Sequence, residues 1–521
     1  MTGAAPDGRP HRALHDLLDT IAHAAPDRPA VRDRNHHWSY RELTLHSYRL
    51  AHWLLARGVA RGDRVLVRHP NDARLVALVY AVSRVGAVLV PVNHQTPRHP
   101  YGLVLRDAAP VLAVTATAEQ SPDRGGPGAT TSVTLAQAWA EAALLPDTQP
   151  PPGPAGPQDL AVLFYTSGTT AAPKGVMCPH QQILFAAAAI ADRLGYRAED
   201  RVYCWSPFSF DYGLYQVFLA ALGGSQLLLA PPGEDPGVLR RVREWGATVL
   251  PLVPSMAVAL IALAARDRRA TRLRLFTSTG AALAPATLRA LRENFPGARI
   301  QLMFGITECK RVSVLEPDGD LRHPGSAGRP LDGTRVEVLG PAAQVLPPGE
   351  VGEFVVSGPH LARGYWRAPD LTADRFRPDP ATGEVRLFTG DFGHLDADGH
   401  LHVQGRRDEV FKSRGVRTSA AEIEAAALDV PGVRAAAVIP PDGHRGSTLV
   451  VVAATPAARL LRELRERLEP AKVPAACHLV PELPLTANGK VDRPRLAALI
   501  ATADAPASAP TERTRSAADP R

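Results

Sequence analysis

Lysine is scarce in this 521-residue chain. It occurs five times, at Lys174, Lys310, Lys412, Lys472 and Lys490, against 54 arginines. Where arginine serves almost everywhere, the remaining lysines are candidates for positions that need a compact, rotatable ammonium rather than a planar fork. Cysteine is scarcer. The four residues, Cys178, Cys204, Cys309 and Cys477, fall at no metal-ligand or paired spacing. That excludes a disulfide scaffold and fits free thiols in a reducing cytoplasm. No run of eighteen apolar residues is free of charge. The best candidate, Leu75 to Val92, is interrupted by Arg84 and Gly86 and reads as helix, turn and strand, so no membrane span is expected. The first twelve residues hold no apolar stretch of signal-peptide type. The net charge of +7 is spread along the chain, which argues against nucleic-acid binding and leaves room for an acidic protein partner. There are no internal repeats.

What is present is an ordinary globular composition, 45% hydrophobic, in a chain long enough for about two to four domains. The first part alternates helical and strand-like runs. Tyr40 to Ala56 is an amphipathic helix entered through Ser39. Arg64 to Arg68 is a strand, Asp72 to Val85 a helix, and Ala87 to Pro91 a buried strand. This rhythm predicts a layered α/β fold. The proline- and glycine-rich stretch Asp147 to Gln158 reads as a connector. A second α/β stretch follows to about Leu331. From Thr334 to about Gln404 short strands (Arg335 to Leu339, Glu353 to Ser357, His400 to Gln404) alternate with Gly, Pro and Asp, predicting a small antiparallel sheet or barrel. The pattern then shifts to a compact α+β lid. We read 1–404 as a large N-terminal multi-subdomain α/β portion, 405–500 as the lid, and 501–521 as a disordered tail.

One stretch is rich in chemistry. Tyr165-Thr166-Ser167-Gly168-Thr169-Thr170-Ala171-Ala172-Pro173-Lys174-Gly175-Val176 packs five hydroxyls, two glycines and a lysine behind the apolar strand Leu160 to Phe164. Hydroxyls and bare N–H groups donate to phosphate oxygens, glycine admits close approach, and lysine adds a point charge. It is not a Walker A loop, because Lys174 is followed by Gly-Val rather than Ser or Thr. The string resembles the nucleotide loop of the AMP-forming acyl and aminoacyl adenylating enzymes, roughly TSG-[ST]-TGxPKG. Ala171 stands where that family has glycine.

Four more segments carry the resemblance, in the family's order and from about Tyr40 to Leu496. Gly280-Ala281-Ala282 is similar to its adenine-binding segment. Phe304-Gly305-Ile306-Thr307-Glu308 implies a threonine on the α-phosphate and a carboxylate ligand for Mg²⁺; Phe304 replaces the usual tyrosine. Phe388-Thr389-Gly390-Asp391, read as a turn, with Arg406 fifteen residues after Asp391, implies ribose binding. Pro484 to Lys490 resembles the segment whose lysine bridges carboxylate and α-phosphate, so Lys490 is the implied catalytic lysine. The resemblance further implies a hinge at Asp408 and a second lid position that removes Lys490. That position brings in Lys412 to Arg417, with Gly415 lining a pantetheine thiol channel. Two half-reactions follow: acid plus ATP gives acyl-AMP and pyrophosphate, then a thiol displaces AMP.

The acid is less determined. Ser209 to Tyr215 resembles the segment lining the acid pocket, with Tyr212, Tyr215, Thr277, Thr279 and Met303 around it. Asp211 occupies the place of the aspartate that pairs with a substrate ammonium in amino-acid-activating members; the alternative is an aspartate capping local backbone. Arg311 falls at a side-chain-reading position and suits a second carboxylate. Lys310 could fix the backbone beside it. Alternatively, Lys310 and Arg311 pair with internal acidic groups. The combination resembles stand-alone β-amino-acid adenylating enzymes. The expected acceptor is the phosphopantetheine arm of a separate carrier protein. The other reading is an acyl-CoA synthetase using free CoA on a fatty or other organic acid.

Overall fold

The computed structural model describes residues 11–118, 130–150, 155–166, 173–231, 237–406, 410–413, 416–441, 446–486 and 489–503. The chain divides into two compact units, Met1–Phe411 with Ala487–Lys490, and Lys412–Thr486 with Val491–Arg521.

Among the described residues the larger unit holds three sheets. In the first, the strands Pro29–Arg32, Gln226–Leu229, Arg201–Cys204, Val249–Leu252, Leu275–Ser278 and Arg299–Phe304 run parallel in that spatial order. Antiparallel edge strands complete nine. The second places Thr131–Thr134, Leu112–Thr115, Arg64–Arg68, Val88–Pro91 and Leu160–Thr166 side by side in parallel. Lys174–Pro179 is added antiparallel at the edge. Parallel strands need covered faces, and one core cluster draws side chains from both sheets and from the helices Tyr40–Ala56, Ala73–Arg84, His180–Leu194 and Asp211–Gly223. Helices Ala73–Arg84 and Asp211–Gly223 are buried almost all round, as expected of a helix that is apolar on every face.

Local chemistry sets the helix starts. Ser39 caps Tyr40–Ala56 in a capping box with Glu42, and Asp72 accepts from the Leu75 N–H to start Ala73–Arg84. Arg84, buried in that helix, forks onto Asp19, donates to Ser47 at 2.9 Å, and lies 4.4 Å over the Tyr48 ring.

The third sheet is antiparallel: Arg335–Leu339, Gly352–Ser357, Val385–Leu395 and Phe376–Pro378, with Leu401–Arg406 on Val385–Leu395. Gly390–Asp391, expected as a turn, lies instead inside the eleven-residue strand Val385–Leu395. The turn-like signal is a bulge. Phe388 pairs with Val355 and Phe392 with Glu353, leaving extra residues between them, and Gly390 takes φ +72° there.

In the smaller unit Val433–Ile439, Thr448–Ala453 and Ala476–Leu479 form a three-stranded sheet. Leu496 and Ile500 of the helix Arg493–Ala503 pack with Ala437 and Val450 of this sheet. Among the described residues no helix is long and apolar enough to cross a membrane.

Candidate active site

Thr166 and Lys174 are cross-strand partners at the ends of the hairpin strands Leu160–Thr166 and Lys174–Pro179. The two ends of the hydroxyl-rich stretch are therefore held side by side. Ser167, Gly168, Thr169, Thr170 and Ala171 lie outside the described residues, as do Asp408 and Gly415. Gly175 fits because a Cβ there would lie 3.1 Å from both the Leu163 and Tyr165 side chains. The Tyr165 hydroxyl and the Trp366 indole both donate to Asp107.

The strand Arg299–Phe304 ends in a turn built around Lys310. This lysine is 1% exposed and takes a left-handed φ of +63°, uncommon for a residue with a side chain. Its ammonium donates to the Thr307 carbonyl at 2.8 Å and to Cys178 Sγ at 3.1 Å, and sits 4.3 Å from the Phe164 ring centre. Burial pushes the Cys178 thiol up although Lys310 opposes the shift, so the sulfur stays a neutral acceptor. Among the described residues Lys310 thus binds a carbonyl, a thiol and a ring, not an acidic side chain. It closes the turn that presents Thr307 and Glu308. Gly305 allows the closure, since a Cβ there would lie 2.1 Å from the Lys310 carbonyl. Arg311, also buried, donates to that carbonyl at 2.6 Å and lies 5.0 Å over the Tyr212 ring. Phe304 stands 6.0 Å from Phe354.

Glu308 is half-buried, and its Oε1 accepts from the Tyr365 hydroxyl at 2.7 Å. One carboxylate oxygen is thereby oriented and the other has no hydrogen-bond partner among the described residues, so the donor set fits Mg²⁺. Asp391 and Arg406 are direct cross-strand partners on Val385–Leu395 and Leu401–Arg406. Arg375 reaches the same place, donating to the Thr389 carbonyl and standing where a Cβ on Gly390 would fall, 2.8 Å from its Nη1. Tyr365 and Arg375 escaped the sequence reading. Their partners lie 57 and 14 residues away in the chain, and no local motif marks them.

Asp211 opens the helix Asp211–Gly223 and is 4% exposed. Its Oδ1 accepts from the adjacent Tyr212 N–H at 2.8 Å. Among the described residues no cationic side chain lies within ion-pair distance of it. The first turn of the helix favours its negative charge. Gly213 brings that turn against the preceding loop: a Cβ would meet the Pro207 carbonyl at 2.3 Å. Tyr212 spends its hydroxyl on Thr277, at 2.9 Å to the carbonyl and 2.6 Å to Oγ1. Among the described residues the Tyr215 hydroxyl and Thr279 Oγ1 are buried without a hydrogen-bond partner, a state that costs free energy until a ligand supplies one. Met303 is buried beside this wall, at the end of its strand.

Lys490 belongs to the larger unit. Its Cε lies 3.3 Å from where a Gly280 Cβ would stand, and its ammonium lies 5.7 Å from the Phe210 ring centre. Ala281 and Ala282, which follow, are exposed. Lys490 is exposed too, yet the protein around it lowers its pKa. Desolvation dominates, Arg406 and Arg311 add to it, and Asp211 and Asp391 oppose it. Four residues far apart in the chain therefore converge electrostatically on this one lysine.

A hairpin ending in Thr166 and Lys174, and a lysine whose pKa responds to Asp211, Arg311, Asp391 and Arg406, fit an enzyme class that handles a nucleotide beside an acid. The comparisons identify it. The AMP-binding enzyme family matches residues 18–366, and the AMP-binding enzyme C-terminal domain matches residues 422–490. The chain belongs to this family, the AMP-forming ligases. It is 35% identical over 508 residues to the phosphinothricin tripeptide synthetase PhsC of Streptomyces viridochromogenes. That match covers 94% of this chain but 46% of PhsC, so the chain spans less than half of that relative. It is 32% identical to novobiocin biosynthesis protein H of Streptomyces niveus, covering 92% of this chain and 81% of that one. Among solved structures it resembles VinN, in a complex with L-aspartate, at 42% identity and TM-score 0.69 over 75% of this chain and 98% of VinN. It also resembles the o-succinylbenzoate CoA synthetase of Bacillus subtilis with its acyl-adenylate, at 27% identity and TM-score 0.80. That likeness covers 92% of this chain and 97% of the synthetase.

Proposed function

We propose that this chain activates a small amino acid, acidic or β-amino, as its acyl-adenylate and then passes it to the phosphopantetheine thiol of a separate carrier protein. The substrate carboxylate attacks the α-phosphorus of ATP, the bond to the β-phosphate oxygen breaks, and pyrophosphate leaves. The nucleophile is already an anion, so no general base is required. Lys490 and Thr307 stabilise charge on the α-phosphate and carboxylate oxygens. Thr166, Lys174 and the hydroxyls between them hold the β- and γ-phosphates. Asp391 and Arg406 hold the ribose, while Gly280 to Ala282 and Phe304 flank the base. Glu308 would hold Mg²⁺, which neutralises phosphate charge when bound.

The observation that carries the amino-acid reading is Asp211, a buried carboxylate with no cationic side chain within ion-pair distance among the described residues. A buried charge is costly unless paired, and a substrate ammonium supplies the pair. Arg311, buried over Tyr212, supplies a cation for a second carboxylate, and the likeness to VinN, solved with L-aspartate and with 3-methylaspartate, supports an acidic amino acid. In the second half-reaction the 405–500 portion turns about Asp408, the thiol reaches the adenylate past Gly415, and AMP leaves as the thioester forms.

Pyrophosphate exchange with a panel of α-amino, β-amino, dicarboxylic and fatty acids tests the reading. Exchange confined to amino acids supports it. Preference for unsubstituted fatty acids removes the Asp211–ammonium pairing. Turnover with free CoA and none with carrier proteins favours the acyl-CoA synthetase reading, which the likeness to the o-succinylbenzoate CoA synthetase keeps specific.

A further inference from the structure

The hairpin that carries Asp391 and Arg406 has a histidine cluster at its far end. The strands Val385–Leu395 and Leu401–Arg406 are joined by a turn in which Asp396 Oδ1 accepts from the Asp398 and His400 N–H groups at 3.0 and 2.9 Å. Its Oδ2 faces His402 Nε2 at 3.0 Å. His394 and His402 are cross-strand partners and stack with ring centres 4.7 Å apart. His323, from the segment before Gly325, stacks on His400 with ring centres 3.9 Å apart. Ala327 N–H and the Gly328 carbonyl pair with Leu401 and fasten that segment to the hairpin.

Two observations point to a ligand. One atom from each of His323, Asp396 and His400 can be chosen so that all three lie within 4.8 Å of one another. Independently, His400 is 2% exposed and neither of its ring nitrogens has a hydrogen-bond partner among the described residues. Its Nδ1 lies 3.7 Å from Asp396 Oδ1. A buried imidazole with two unmet nitrogens is costly, and an ion is one of the few things that explain it. The third ligand is the Asp396 carboxylate, whose Oδ1 faces His400 Nδ1. His402 orients that carboxylate from behind.

We propose that His323, Asp396 and His400 form a binding site for a divalent transition metal, with Zn²⁺ as the reference ion. Two imidazoles and one carboxylate are a borderline N₂O donor set, suited to Zn²⁺, Co²⁺ or Ni²⁺ rather than to Mg²⁺ or Ca²⁺. Ligand bonds of about 2.1 Å require the three atoms to draw in to roughly 3.4 Å from one another, and the His323 ring to turn out of its stack on His400 so that the two in-plane lone pairs converge on one ion. The site is separate from Glu308. It ties the 323–328 segment to the turn between the strands bearing Asp391 and Arg406, so its occupancy stiffens the ribose-facing hairpin.

Untagged, chelator-stripped full-length protein titrated with Zn²⁺ by calorimetry tests this, with the visible spectrum of the Co²⁺ form as a second readout. The expected result is one saturable equivalent, a Co²⁺ spectrum typical of low-coordinate nitrogen and oxygen ligation, and a rise in melting temperature with metal. His323→Ala and Asp396→Ala should each weaken binding at least tenfold, and His37→Ala, an exposed control, should leave it unchanged. His323 is only half-buried, so its variant keeps the test valid if His400→Ala does not fold. Absence of a saturable equivalent in the wild type, or undiminished binding in both His323→Ala and Asp396→Ala, overturns the proposal.

Discussion

Replacing Asp211 by asparagine removes the charge and keeps the shape. The carboxylate is buried, and its shown hydrogen bond comes from the neighbouring Tyr212 N–H; asparagine can retain that bond through its carbonyl oxygen. Truncating one side of a buried charge pair costs about 2–5 kcal/mol. At about 1.4 kcal/mol per decade, kcat/KM for the cognate amino acid should fall roughly 30- to several-thousand-fold. The informative comparison is with the same acid lacking its amino group. In the wild type that analogue leaves Asp211 buried and unpaired, so it is strongly rejected. In Asp211→Asn the penalty disappears, and the ratio of amino to desamino substrate should collapse by about a hundredfold or more. Pyrophosphate exchange with both acids, on both proteins, gives the four rates. A discrimination ratio unchanged within threefold refutes the pairing.

Three further outcomes follow from the packing. Gly305→Ala pushes the Lys310 carbonyl away from its 2.1 Å approach, and a displacement of about 1 Å in the Thr307–Glu308 turn should cost roughly a hundredfold in exchange with far-UV circular dichroism unchanged; full activity contradicts the role of that closure. Arg84→Ala breaks the buried fork to Asp19 and the bond to Ser47 and should cost about 2–4 kcal/mol in urea unfolding, whereas a loss under 1 kcal/mol contradicts it. Burial lowers His180 and His360 to about 4, and His180 Nδ1 accepts from the Leu14 N–H, which requires it unprotonated. The unfolded chain takes up those two protons below about pH 6.5 while the folded chain does not. Stability should therefore be flat above pH 6.5 and fall as pH drops towards 4. Unfolding free energy that stays level from pH 7 to 5 contradicts this.

Much of the scaffold was legible because its signals are local. Ser39 with Glu42 announces a helix start, and the runs Arg64 to Arg68 and Thr448 to Ala453 are strands wherever they pair. The order of the nine-stranded sheet was not legible, because it depends on crossovers between distant strands. Gly390–Asp391 misled because glycine marks bulges as readily as turns. Lys310 was singled out by rarity, but its burial against Cys178 and Phe164 joins positions more than a hundred residues away. The Tyr365–Glu308 bond was hidden for the same reason.

The convergence of Asp211, Arg311, Asp391 and Arg406 on Lys490 is the centre of the account. Amino-acid-dependent ATP–pyrophosphate exchange, measured on the wild type and on Lys490→Ala, tests it most directly. Exchange should be present in the first and at least about a hundredfold lower in the second, with ATP binding retained. Its alkaline limb should lie below pH 10.5, because the folded environment lowers the lysine. Exchange at the wild-type rate in Lys490→Ala would contradict the account.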